Sequence, residues 1–199
     1  MAYPTLLIMN LDPNQNYFVT AIHTDSGKTY ASAYLCEQFG FDYWKPIQAG
    51  EDTDSNAIKN LVKRKGIKIF PETYALKTPI SPHKAAEIDG IKIDLSKIKI
   101  PQSNKGIIVE GAGGVLVPLN QEQTMTDLML HLGLPVILVI NFYLGSINHS
   151  LLTIEYLKSK NIVIEGVIFN GKQTESSKEI ITQLGRIKIL GEIPYNGIK

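Results

Sequence analysis

Long apolar runs, rather than strict alternation, mark out the second half of this chain. Residues 107–109, 136–141 and 163–170 are rich in Ile, Val and Leu, and a shorter run at 187–190 enters Gly191-Glu192-Ile193-Pro194. A strand buried on one face alternates apolar with polar positions, whereas a strand covered on both faces does not. These runs therefore predict strands of a parallel sheet, with helices between them at 126–131, 148–158 and 176–184. Upstream, the pattern predicts a strand at 17–19, a second at 41–45 running into Lys45-Pro46, a helix at 54–65 and a short strand at 73–76. Ser81-Pro82 starts a helix reaching residue 88, since proline suits the first helical turn. The apolar run 6–9 and the turn signal Asp12-Pro13-Asn14 predict an extra edge strand or an N-terminal extension over residues 1–16. The expected fold is α/β in three layers, a mostly parallel sheet with helices on both faces, as one domain over 1–199.

The strand at 17–19 leads into a polar loop that closes on Gly27-Lys28-Thr29, followed by a helical pattern with Tyr30, Ala33, Tyr34 and Cys36 among its apolar positions. Strand, loop, Gly-Lys-Thr and helix together are the layout of a phosphate-binding P-loop, and the expected fold becomes P-loop NTPase-like. A helix start offers free backbone N–H groups and a positive dipole end to a polyphosphate. Lys28 would reach the outer phosphates and the Thr29 hydroxyl would ligate Mg²⁺. The loop opens on Ala21 rather than on a glycine, so either it enters with ordinary φ or its geometry is altered.

Ligands of such sheets bind beyond the carboxyl ends of the strands, which draws attention to Lys45, Glu110, Asn141 and Asn170. Glu110 ends an apolar run and precedes Gly111-Ala112-Gly113-Gly114; a carboxylate there can hold Mg²⁺ directly or through water. Lys45 is the one cation besides Lys28 expected at that edge. Two lysines converging on one phosphate would stabilise transferring charge, although a lysine after a strand also fits an ordinary surface position. Asp52 and Asp54 stand where one of them can cap the helix at 54. His23 lies in the phosphate loop and His83 in a first helical turn, and neither has the partner pattern of a zinc site or a catalytic triad. Met125, Met129 and Leu132 have core spacing.

Composition narrows the classes. Of 199 residues 44% are hydrophobic, enough for a sizeable core, and twenty basic against nineteen acidic residues give no electrostatic footprint for nucleic acid or a membrane surface. Lys63-Arg64-Lys65 reads as the solvated end of a helix. The single cysteine, Cys36, forms no intramolecular disulfide and packs as a small apolar residue. Residues 1–10 lack the basic start of a secretory leader, and no apolar run spans a bilayer. The expected location is cytoplasmic.

Taken in order, the motifs resemble those of the dethiobiotin synthetase family: Phe18-Val19-Thr20 with Thr24 and Gly27-Lys28-Thr29, Lys45-Pro46-Ile47-Gln48, and Ser81-Pro82-His83-Lys84-Ala85-Ala86. Further matches are Val109-Glu110-Gly111-Ala112-Gly113-Gly114 with Pro118-Leu119, the run 134–139, Leu144-Gly145-Ser146-Ile147-Asn148-His149, and Gly191-Glu192-Ile193-Pro194. The resemblance spans roughly residues 17–195. It implies an ATP- and Mg²⁺-dependent cyclo-ligase that converts 7,8-diaminopelargonate and CO₂ (or bicarbonate) to dethiobiotin, through a carbamate and its mixed anhydride with phosphate. It implies that Lys45 and Lys28 act in catalysis and that Asp25, Ser26, Gly27, Lys28, Thr29 and Tyr30 hold the nucleotide phosphates. Asp54, Glu110, Gly111, Ala112 and Gly113 complete the ATP site on that resemblance, with Asn170, Gly171, Pro194, Tyr195 and Asn196 on the base side. Thr29, Asp54 and Glu110 become the Mg²⁺ ligands, which moves Asp54 from cap to ligand. The implied substrate contacts are Thr24, Lys45, Ala49 and Gly114, with Leu144, Gly145 and Asn148 supplied across a homodimer interface.

Several positions depart from the family pattern. Ala21 replaces a glycine, His23 stands where Asp is common, and Ala49 stands where Ser or Thr bonds the substrate. Gly171 replaces a frequent Asp, and the chain ends where a further helix is usual. A partition-type ATPase of the same branch needs an early loop lysine that Ala21 and His23 do not supply, and an amidating cobyrinate-type synthetase needs a glutaminase domain. The alternative of another class is a nucleotide-binding P-loop module that has lost ligase chemistry, with Ala21 and Ala49 as its marks.

Overall fold

The computed structural model describes residues 11–172 and 174–194, with only the backbone of Pro194. The run at 6–9, and with it the expected edge strand, lies outside the described residues, as do Tyr195 and Asn196. In chain order the elements are β1 (Tyr17–Ala21), α1 (Lys28–Phe39), β2 (Asp42–Trp44), β3 (Ile47–Ala49), α2 (Asp54–Leu61), β4 (Ile69–Phe70), β5 (Tyr74–Leu76) and α3 (Pro82–Ile88). After a 3₁₀ turn at Leu95–Lys97 follow β6 (Ile107–Gly114), α4 (Met125–Leu132), β7 (Val136–Asn141), α5 (Ser146–Ser159), β8 (Ile164–Gly171), α6 (Glu175–Gly185) and β9 (Ile189–Pro194).

Among the described residues seven strands form one sheet in the order β4-β2-β6-β1-β7-β8-β9, every pair parallel. Successive residues feed opposite faces, as strand geometry requires. Val19, Ile108, Ile137 and Ile168 pack with Ala31 and Leu35 of α1. Phe18, Val109 and Val136 pack with Met125 and Leu128 of α4, while Val167 and Phe169 meet Ile154 of α5 and Ile181 of α6. Both faces are covered, which is why the strands lack alternation. The central strand β1 lies between β6 and β7, so the crevice above its carboxyl end falls where the chain order reverses.

Most boundaries shift by one or two residues from expectation, and four elements show why. The helix predicted to residue 65 stops at Leu61: Val62 is extended, and the N–H groups of Lys63 and Arg64 donate to Glu37 Oε2 at 2.7 and 2.9 Å. Lys63-Arg64-Lys65 is thus a loop clamped to α1 rather than a helix end. The strand at 73–76 begins at Tyr74 and pairs with β3 in a separate two-stranded sheet. β6 does not end at Glu110 but continues through Gly114, because its pairing with β1 runs on from Val19↔Glu110 to Ala21↔Gly114 across a register shift. Gly111 is required there, since a Cβ would stand 2.8 Å from the Phe18 ring. The last strand starts two residues late and includes Gly191 and Pro194; at the sheet edge a proline costs no ladder bond.

Candidate active site

β1 delivers the chain to the phosphate loop at Ala21, which is fully buried and has ordinary φ. That settles the open question about the missing glycine, because the left-handed residues of the loop are Asp25 (φ 53°) and Gly27 (φ 85°). Gly27 is needed twice over. A Cβ there would stand 2.0 Å from Asn170 Nδ2, and the left-handed backbone itself disfavours other residues. Asn170, at the end of β8, donates from Nδ2 to Ser26 O at 2.9 Å, and Ser26 Oγ donates to His23 O at 3.1 Å. The loop is thereby tied to β8, beyond β7 in the sheet, before α1 begins. Lys28 is the first residue of α1 and is buried. Burial pulls its ammonium below the usual lysine value; Glu110 opposes that, and Lys45 reinforces it.

Beneath the loop four charged or hydroxyl side chains from four elements converge. Thr29 Oγ1 of α1 lies 2.7 Å from Asp54 Oδ1 and 2.9 Å from Glu110 Oε1. Lys45, one residue past β2 and 4% exposed, places Nζ 3.3 Å from Glu110 Oε1 and in an ion pair with Asp54 Oδ2. Burial alone would lower the Lys45 ammonium, but Glu110 and Asp54 outweigh it and hold it above the usual lysine range. Asp54 shows the mirror case: burial raises its carboxyl, while Lys45 and the Thr29 hydroxyl bring it below the usual aspartate value. Asp54 is free to do this because Thr53, not Asp54 or Asp52, caps α2, its side chain accepting from Asn56 N at 3.2 Å.

The donor set suits Mg²⁺. Two carboxylates and a hydroxyl, all oxygen, match a hard cation that keeps waters and takes its remaining ligands from phosphate. Among the described residues no cluster of three or more His, Cys, Asp or Glu side chains forms a metal cage.

The remaining expected residues lie around this centre. Gly111, Ala112, Gly113 and Gly114 carry β6 past the loop, and a Cβ on Gly113 would stand 3.4 Å from Thr24 Oγ1. Ala49 ends β3, half-buried. Tyr30 sits in the first turn of α1. Gly171 ends β8 and pairs with Pro194 of β9, which brings the expected base-side backbone beside Asn170. Leu144, Gly145 and Asn148 lie at the start of α5, with Gly145 as the left-handed N-cap and Leu144 and Asn148 exposed. The adjoining Tyr143 links that start to the loop: its ring meets His23 edge-on at 4.9 Å, and its hydroxyl is 2.6 Å from His149 Nδ1.

Two residues of the centre had no role in the sequence reading. Tyr43 OH donates to Glu110 Oε2 at 3.0 Å, and Gln48 Oε1 accepts from Asp54 N at 3.3 Å. Burial first, and then Glu110, push the Tyr43 phenol well above its usual value, so it remains a donor. In sequence Tyr43 is indistinguishable from a core aromatic. The available signal for Gln48 was a polar side chain inside the short run after Lys45-Pro46.

A family profile described as an AAA domain matches residues 15–198. Two curated relatives, from Cytophaga hutchinsonii and Christiangramia forsetii, are each named ATP-dependent dethiobiotin synthetase BioD. They are 51% and 49% identical over 88% and 91% of this chain and 86% and 89% of their own. Among solved structures, the MinC:MinD cell division protein complex of Aquifex aeolicus aligns with TM-score 0.55 at 17% identity, over 92% of this chain and 82% of that one. A ParA family ATPase from Chlorobium tepidum TLS aligns with TM-score 0.51 at 14% identity, over 92% and 85%. At such identities the likeness is of fold alone, the P-loop NTPase-like fold, whereas the two BioD relatives match along nearly the whole chain. The chain belongs to the ATP-dependent dethiobiotin synthetase family, a family of ligases.

Proposed function

We propose that this protein closes the ureido ring of dethiobiotin from 7,8-diaminopelargonate and CO₂, consuming ATP with Mg²⁺, as one cytoplasmic catalytic domain acting in a homodimer. One amine of the substrate takes up CO₂ as a carbamate, whose oxygen attacks the γ-phosphorus of ATP as the bond to ADP breaks. The second amine then attacks the carbamic–phosphoric carbon, and phosphate leaves as the ring closes. Lys28 and the amides from Asp25 to Thr29 hold the outer phosphates at the positive start of α1. Thr29, Asp54 and Glu110 hold Mg²⁺, which supplies charge neutralisation to the phosphates. Lys45 binds the carbamate and stabilises the transferring phosphoryl group; a fixed cation in a buried site needs no reorganisation as charge develops. Asn170 and the 194–196 segment meet the base. The start of α5, with Leu144, Gly145 and Asn148, receives the substrate carboxylate bound to the neighbouring subunit, while Thr24, Ala49 and Gly114 line the substrate on the loop side.

Lys45 carries the reading. Nucleotide binding requires the loop, Lys28 and the cation donors, but it does not require a second buried ammonium held between the two carboxylates of the cation site. That ammonium also argues against a module that has lost its chemistry, and Ala21 takes up ordinary backbone geometry. The test is phosphate release and dethiobiotin formation from diaminopelargonate, bicarbonate, ATP and Mg²⁺. Product is expected from the wild type and none from Lys28→Ala. Nucleotide binding without product in the wild type would return the nucleotide-binding module to first place.

A further inference from the structure

The two oxygens of Glu110 are engaged by different kinds of group. Oε1 meets Thr29 Oγ1 and Lys45 Nζ, whereas Oε2 accepts from the Tyr43 hydroxyl at 3.0 Å. Tyr43 is 0% exposed and Glu110 1%. The contact is built into the sheet: β2 pairs with β6 so that Tyr43 stands beside Ile108, and Ile108 and Glu110 share a face two residues apart. A glutamate's last torsion is broad, so its stem alone does not fix the plane of the carboxylate. A phenol bonded to one oxygen does fix it, and holds the other toward Thr29 and Lys45. Being neutral, it also leaves the carboxylate its charge, which a third lysine would not.

We propose that Tyr43 is a positioning residue of the cation site: its bond to Glu110 Oε2 turns Oε1 toward Thr29 and Asp54 and so sets the affinity for a divalent cation. The inference rests on Thr29, Asp54 and Glu110 being the cation donors. A tyrosine placed there only to fill the core would also need an acceptor for its hydroxyl, and the two roles separate in measurement. The variant is Tyr43→Phe, which keeps the ring and the packing. Mn²⁺ binding is followed by electron paramagnetic resonance in the presence of ADP, and ADP binding in EDTA by calorimetry. Loss of a partner that orients a metal ligand costs roughly 10- to 100-fold in metal affinity. The Mn²⁺ dissociation constant is therefore expected to rise about 10-fold or more, with ADP affinity in EDTA unchanged and no further rise when Tyr43→Phe is added to Glu110→Gln. Unchanged Mn²⁺ affinity in Tyr43→Phe, or an equal loss in the Glu110→Gln background, overturns the proposal alone. A wild type that binds ADP with no Mn²⁺ bound at the site overturns both it and the donor assignment.

Discussion

Thr29 has one hydroxyl proton and two carboxylate oxygens within 2.9 Å. It can donate to only one of them at a time, so Asp54 Oδ1, Glu110 Oε1 and Thr29 Oγ1 form a tight group of oxygens whose repulsion is balanced chiefly by the Lys45 ammonium. The balance has a pH signature. Asp54 is held below the ordinary aspartate value of 3.8, despite burial that pushes the other way, by Lys45 and by the Thr29 hydroxyl. A depressed carboxylate contributes stability that is present above its unfolded value and lost as pH falls through its folded value. The urea midpoint of the protein without ligand should therefore exceed that of Asp54→Asn at neutral pH, and the gap should close as the pH drops below 3.8. A gap constant down to acid pH would mean that Asp54 is not the charged partner of Lys45.

Helix α2 owes its start to Thr53, and this frees Asp54 for the site. Removing an N-cap hydroxyl costs about 1 kcal/mol, so Thr53→Ala should lower unfolding free energy by that order in a denaturant titration. It should also raise the Mg²⁺ concentration needed for half-maximal turnover, because Asp54 sits on the first turn that the cap secures. No change in either measurement would leave Asp54 positioned by Thr29, Lys45 and Gln48 without the cap. The same helix shows where sequence is a weak guide. Asp54 at its start was legible, but its end was not, because what halts it after Leu61 is a carboxylate on α1, Glu37, that no local pattern reveals. The 136–141 strand was legible at both ends because a both-face-buried run needs no partner to declare itself. β3 and β4, of three and two residues, are too short for any periodicity. The apolar run ends at Glu110, but β6 runs on through the glycines, where Gly111 packs against Phe18 and Gly114 pairs with Ala21 of β1.

The assembled molecule places chemistry-bearing residues from α1, α2, β6 and the end of β2 at one crevice of the sheet. Gly27-Lys28-Thr29, Lys45 and Glu110 announced themselves as polar groups where the fold demands none. Tyr43 did not, since its value depends on a register between β2 and β6 that only the folded sheet supplies. Across the crevice the start of α5 exposes Leu144 fully, beside the partly exposed Tyr143 and Ile147. A dimer joined there should be broken by Leu144→Arg: sedimentation velocity should shift from dimer to monomer, with ATP affinity kept and saturation by diaminopelargonate lost. A dimer that persists with a wild-type KM would place the interface elsewhere. The proposed phosphoryl transfer depends most on Lys45, and the measurement that reaches it most directly is dethiobiotin turnover by Lys45→Gln beside its affinity for ATP and Mg²⁺. A group acting on the transferring charge should lower kcat by roughly 100-fold or more while nucleotide affinity changes little. Near-full turnover in Lys45→Gln would contradict the role given to Lys45 in the transfer.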